Sequence, residues 1–184
     1  MRRLLVLMAA LAVAGALSAS AAFADSPHFK KGGSPTCSIN FNDALNSAST
    51  TCSGVMAGLG NADVLITIST SGTAVYQCKN AGGNVAPGQN KVLVGPATAS
   101  ELIPSGEVKN GNLAFTSAAS VLTASATVSA AVAGCPNNNW TGVNPVLTVT
   151  SISLTIEQPP GTVIFSCSAT DSWTQDTSGI ALSC

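Results

Sequence analysis

Cys37, Cys78 and Cys167 each fall on the apolar phase of a segment in which hydrophobic and polar residues alternate, and this constrains the fold more than any other feature of the chain. In Thr36–Phe41 the cysteine shares its phase with Ile39 and Phe41; in Ala74–Lys79 with Ala74 and Tyr76; in Val163–Ala169 with Val163, Phe165 and Ala169. A period of two puts alternate side chains on one face of a strand, so a cysteine in the apolar phase points toward a core. Cys52, Cys135 and Cys184 lie near turn signals or at the end of the sequence. Six cysteines allow fifteen connectivities. Pairing each strand cysteine with the next in sequence gives Cys37–Cys52, Cys78–Cys135 and Cys167–Cys184, which leaves no thiol over. A metal or redox role has little to draw on, because there is no C-x-x-C pair and His28 is the one histidine.

Bridged cysteines require an oxidising compartment, and the opening residues supply a route to one. Met1-Arg2-Arg3, the apolar stretch Leu4–Leu17 and Ala22-Phe23-Ala24 have the basic, hydrophobic and small-residue parts of a secretory signal peptide. Residues 1–24 are therefore expected to be removed, with Asp25 starting a secreted, extracellular protein. Residues 25–35 read as a flexible N-terminal segment and residues 36–184 as one domain. Five lysines against eight acidic residues leave the span from Asp25 a charge of −3. With Lys30-Lys31 as its one basic pair, it offers no cluster to neutralise a phosphate backbone, so nucleic acid is excluded as a partner. Beyond the leader no apolar run approaches the ~20 residues of a membrane helix, and no stable membrane insertion is expected.

Period two continues through the rest of the chain. Ala62–Thr70 carries Val64, Ile66 and Ile68 on one phase, and Ser71-Gly72-Thr73 reads as a hairpin turn leading into Ala74–Lys79. Leu113–Val132 is alanine-rich, but from Leu122 to Val132 its even positions are Leu, Ala or Val while Thr123, Ser125, Thr127 and Ser129 fill the odd side, which predicts strand over helix. In Val146–Glu157 the apolar phase switches between Leu147, Val149 and Ile152, Leu154, Ile156, so a bulge is predicted near Thr150-Ser151. Gly82–Asn90 reads as the longest exposed loop. Short strands separated by Gly, Pro and Asn punctuation predict an all-β fold: a single antiparallel β-sandwich of immunoglobulin-like character, stapled by disulfides.

Chemistry is harder to find. His28 is the one imidazole available to a Ser-His-Asp or Cys-His mechanism, and no G-x-S-x-G elbow accompanies it. Asp63, Glu101, Glu107, Glu157 and Asp171 could supply a carboxylate pair, but only Glu157 adjoins a well-patterned strand, where a rim charge explains it. No D-x-D-x-D run exists for calcium, and Asp171 and Asp176 around Trp173 are too few oxygens for a cation. Neither a catalytic residue, a metal nor a cofactor is expected. The candidate contact residues are aromatic: Trp140 after Asn137-Asn138-Asn139, Trp173 in a polar setting, and Tyr76. Asn139-Trp140-Thr141 is also an N-glycosylation sequon.

Ala57-Gly58-Leu59-Gly60-Asn61, Ala74-Val75-Tyr76-Gln77-Cys78-Lys79-Asn80-Ala81-Gly82-Gly83-Asn84 with Gln89-Asn90-Lys91, and the Cys135-Pro136 turn resemble a family of uncharacterised secreted proteins of soil bacteria. The resemblance spans about residues 54–168 and rests on turn and cysteine motifs. It implies a one-domain β-sandwich and a Cys78–Cys135 bridge, and brings no activity with it. Together these readings predict a non-catalytic extracellular binding or structural module that contacts a glycan or protein through Gly82–Asn90 and Trp140. The competing readings are a protease inhibitor presenting Gly134–Asn139, a small hydrolase using paired carboxylates, and self-assembly through uncharged strands.

Overall fold

Alternation of Val, Ile and Leu with Ser and Thr leaves each strand one dry face and one wet face, so two sheets must meet on their dry sides. The computed structural model describes residues 26–184; the signal-peptide reading of residues 1–24 lies outside them. The strands are β1 His28–Phe29, β2 Thr36–Phe41, β3 Ser47–Ala57, β4 Val64–Asn80, β5 Val85–Pro87, β6 Val92–Ile103, β7 Leu113–Thr116, β8 Ser120–Thr123 and β9 Thr127–Ser129. One helical turn, α1 Ala130–Ala133, precedes β10 Trp140–Glu157, β11 Val163–Trp173 and β12 Thr177–Ala181. The protein is all-β, with two antiparallel sheets.

In the first sheet β3 is central. It pairs with β2 and β1 along one edge and with β7 and β8 along the other, and β12 lies outside β2. In the second, β4 and β10 form a long ribbon, with β6 and β5 along the free side of β4 and β11 and β9 along that of β10. The sheets are joined at both margins. On one, the Ser120 hydroxyl of β8 donates to the Ala97 carbonyl of β6 over 2.9 Å; on the other, β11 pairs through Ser168 with Ser183 at the end of the chain. Between them lie Ile39, Met56, Ile66, Ile68, Leu147, Ile152, Leu154 and Ile156, all fully buried. Each contributes roughly 2 kcal/mol by burial. Thr50 and Thr70 are buried among them with hydroxyls that have no partner.

The three disulfides are Cys37–Cys52, Cys78–Cys135 and Cys167–Cys184, the set obtained by pairing each strand cysteine with the next in sequence. The first joins directly opposed residues of β2 and β3. Strand β2 spans the predicted residues, and the register of β10 slips between Val149 and Ser151, where the change of phase predicts a bulge. Three expectations fail. Ser71-Gly72-Thr73 is not a hairpin turn: β4 runs straight through it, because Gly72 sits where a Cβ would come 2.3 Å from the Thr148 carbonyl oxygen of β10. The strand expected from Leu122 to Val132 is broken at residues 124–126, between β8 and β9, and gives way at Ala130 to α1, which Ser129 caps and Gly134 ends in the left-handed conformation (φ 70°). Gly82–Asn90 is not all loop either, since Val85–Pro87 pairs with β4 and the Asn90 carboxamide donates to the Ala131 and Val132 carbonyls at the end of α1. Residues 28–33 run along β3: β1 pairs with Met56 and Ala57, and Val55 exchanges backbone hydrogen bonds with Lys30 and Gly33. The Phe29 ring lies 4.3 Å from that of Phe165.

The outward face of the second sheet follows from its register. Across it run Ser100–Thr67–Thr155–Ser166, then Thr98–Ser69–Ser153–Ser168 with Ser183 beyond, then Ser71–Ser151–Thr170. Their neighbours Ile66, Ile68 and Thr70 point inward and are buried. The result is a terrace of hydroxyls.

Candidate functional site

The β4–β10 ribbon extends past the second sheet's core, and its far end gathers the Asn-rich turns. Cross-strand pairing sets Trp140 opposite Asn80, on the same face as Cys78. Side chains so paired stand about 5 Å apart at Cβ. From Asn80 the chain turns through Ala81–Asn84. The Asn80 carboxamide oxygen accepts from the Asn84 amide at 2.9 Å, and the two residues' backbones bond at 3.1 Å. Into Trp140 leads the second turn, where the Asn137 side chain accepts from the Asn139 amide at 3.0 Å and the Asn137 carbonyl from the Trp140 amide at 3.2 Å. Cys78–Cys135 ties this turn to β4. Both turns are fixed by their own backbones, which leaves exposed Asn84, Asn138 and Asn139 free to bond outward.

Of the aromatic candidates only Trp140 keeps solvent access: it is half-buried, one side packed on the core. Tyr76 is 2% exposed and its hydroxyl donates to the Ser125 carbonyl at 2.9 Å. Trp173 is 9% exposed and closes the core opposite Val149. Nine positions along β10 separate Val149 from Trp140, roughly 30 Å, so the two indoles cannot form one platform. Burial of Tyr76 pushes its phenol above the usual tyrosine range.

The residues weighed for catalysis are dispersed. The His28 imidazole bonds the Ser26 carbonyl at 2.9 Å. Asp63 accepts from the Ser105 amide, Glu157 from the Gly161 amide, Asp171 from the Ser172 amide and Asp176 from the Phe41 amide. These bonds fix turns and strand ends. Asp43 and Asp176 do line one shallow depression with Phe41, Asn42, Leu45 and Gln175, a proximity that no local sequence pattern announces because 133 positions separate them. A second depression is lined by Asn46, Gln77, Asn144, Pro145 and Val146, with the Asn144 carboxamide donating to that of Gln77 at 3.0 Å. Among the described residues no group of three or more His, Cys, Asp or Glu could hold a metal ion. No helix among them is long and apolar enough to cross a membrane, and the three disulfides point to an oxidising environment. No family model matches the chain, no curated protein matches its sequence, and no solved structure matches its fold.

Proposed function

We propose that this is a secreted bacterial protein, non-catalytic, whose immunoglobulin-like sandwich carries an extracellular binding site for a neutral glycan at the far end of the β4–β10 ribbon. One observation carries the reading: Trp140 stands beside Asn80 between two turns held by their own hydrogen bonds and by Cys78–Cys135. An indole gives a sugar ring an apolar face to lie on, and carboxamides offer both donors and acceptors to its hydroxyls without the desolvation cost of a charge. Turns already fixed lose little conformational entropy on binding. The engagement of Asp63, Glu157, Asp171 and Asp176 with backbone amides supports a structural role for these carboxylates over a hydrolytic one.

The test is retention of the oxidised protein on insoluble cell-wall and plant polysaccharides, for wild type and Trp140→Ala, with circular dichroism as the check on folding. Loss of an anchoring aromatic costs about 2 kcal/mol, so retention on one glycan should fall about 30-fold in a folded variant. Undiminished retention rejects the site. Specific recovery of an extracellular protease in place of a glycan, by the same column method, would replace this reading with inhibition through Gly134–Asn139.

A further inference from the structure

The hydroxyl terrace of the second sheet is bounded at both ends by exposed aliphatic side chains. At one end Leu65 pairs with Leu102 on one side and Glu157 on the other, with Val163 beyond; Leu102 and Val163 are 55% and 56% exposed. At the other, Val75 pairs with Val146, and Leu93, opposite Thr73, is 85% exposed. Ten positions of β4 separate these rows, roughly 33 Å. Between Leu65 and Gln77 of β4, and between Val143 and Ile156 of β10, there is no charged residue. Charges return at the rows and beyond them, and they differ in sign. Lys91 stands level with Val75 and Lys79 four positions past it, while Glu157 stands beside Leu65 and Asp63 two positions before it; Asp171 sits in the β11 bulge at the margin and Glu101 on the edge strand β6.

We infer that this face binds the same face of a second copy of the chain, the two molecules antiparallel about a two-fold axis that crosses β4 between Ser69 and Ser71. That rotation lays the Val75–Val146 row of each copy on the Leu65–Leu102 row of the other and brings Lys79 to the acidic end formed by Asp63 and Glu157. Each contact then occurs twice, as an isologous interface requires. Hydroxyls suit the centre because each both donates and accepts, so a Ser/Thr row is complementary to itself. Twisted sheets stacked this way cross at about 30°, a geometry that a two-fold axis lying between the two faces and running across the strands accommodates. Four strands at about 4.8 Å by roughly 33 Å give on the order of 500–600 Å² per copy, so about 1,000–1,200 Å² in total, the lower bound for a specific interface. An interface at this bound belongs to the weak, reversible class. This inference is independent of the glycan site, which lies at the end of the ribbon on its opposite face.

Sedimentation velocity of the oxidised protein from micromolar to near-millimolar concentration tests it, with three surface variants whose folding is checked by circular dichroism. Wild type should pass from monomer to dimer. Ser69→Lys places a charge at the centre and should weaken association at least about tenfold. Lys79→Glu and Glu157→Lys should each weaken it about fivefold, since each affects two symmetric contacts, and the double reversal should restore it. A wild-type protein monomeric throughout overturns the inference, as does a dimer that Ser69→Lys leaves intact. A dimer broken by Ser69→Lys that the double reversal weakens further, as the sum of its parts, overturns the antiparallel pairing.

Discussion

Tyr76 is the one tyrosine of the chain, so tyrosinate absorbance reports a single side chain. Its ring is buried and its hydroxyl donates to the Ser125 carbonyl, a bond the ionised phenolate could not make. Burial raises its pKa above the usual value of about 10. The folded protein therefore holds its phenolic proton when the unfolded chain has begun to lose it. This contribution to stability is complete below about pH 10 and is lost as pH rises through the raised folded pKa. Titration of the native protein should give a midpoint above that of the same chain in denaturant, and denaturant midpoints should fall over the same alkaline window. Coincident midpoints would mean the ring is not buried. At this scale the sequence was only half informative. Tyr76 belongs to the apolar phase of its strand, which marks a core position, and Trp173 likewise closes the core despite polar neighbours. Trp140 is distinguished by what pairs with it, Asn80, which lies 60 positions away.

Elements were legible wherever a single period held. Thr36–Phe41 gives β2 without a shifted boundary, and the change of phase between Val149 and Ile152 marks the bulge in β10. Gly72 misleads because glycine serves both turns and close backbone approaches, and only the partner strand decides between them. Here the partner is β10, with the Thr148 carbonyl oxygen 2.3 Å from where a Cβ would stand and Leu122 at 3.1 Å behind it. Alanine at this position must push β4 and β10 apart at the centre of the second sheet. Gly72→Ala is expected to cost about 3 kcal/mol, lowering Tm by about 9 °C for a domain of this size. Gly82→Ala, whose added methyl meets only the carboxamides of Asn80 and Asn84 at 3.4 Å or more, should shift Tm by no more than about 2 °C. Equal shifts would show that Gly72 is in a flexible turn after all. Residues 130–133 mislead for another reason: the alternation of the preceding strand stops at Ser129, because Ala131 stands where a polar residue would continue it, and the Ser129 cap with Gly134 makes the turn helical.

At the scale of the molecule, the two sheets and three disulfides account for a stable fold, but they do not call for Leu93 at 85% exposure or for opposite charges at the two ends of an otherwise neutral face. Aliphatic side chains so exposed contribute nothing to the monomer's burial, whereas in the antiparallel pair they cover one another. Association of folded chains that the unfolded chains cannot reproduce stabilises the fold by mass action. Its signature is a melting temperature that climbs with protein concentration. Raising the concentration from near the dissociation constant to about a hundredfold above it adds roughly 2 to 3 kcal/mol per dimer, which corresponds to a rise in Tm of about 5 °C. Scanning calorimetry on the oxidised protein measures this directly, and the disulfides, intact in both states, do not enter the difference. Ser69→Lys should match the wild-type Tm at low concentration, because Ser69 faces outward, and should show no climb. A concentration-independent wild-type Tm would remove the energetic basis for the pair and leave the terrace as a solvated surface. A climb shared by both proteins would place the association on a different face, for which the margin of β12 is the next candidate because among the described residues no strand pairs with its outer side in the first sheet.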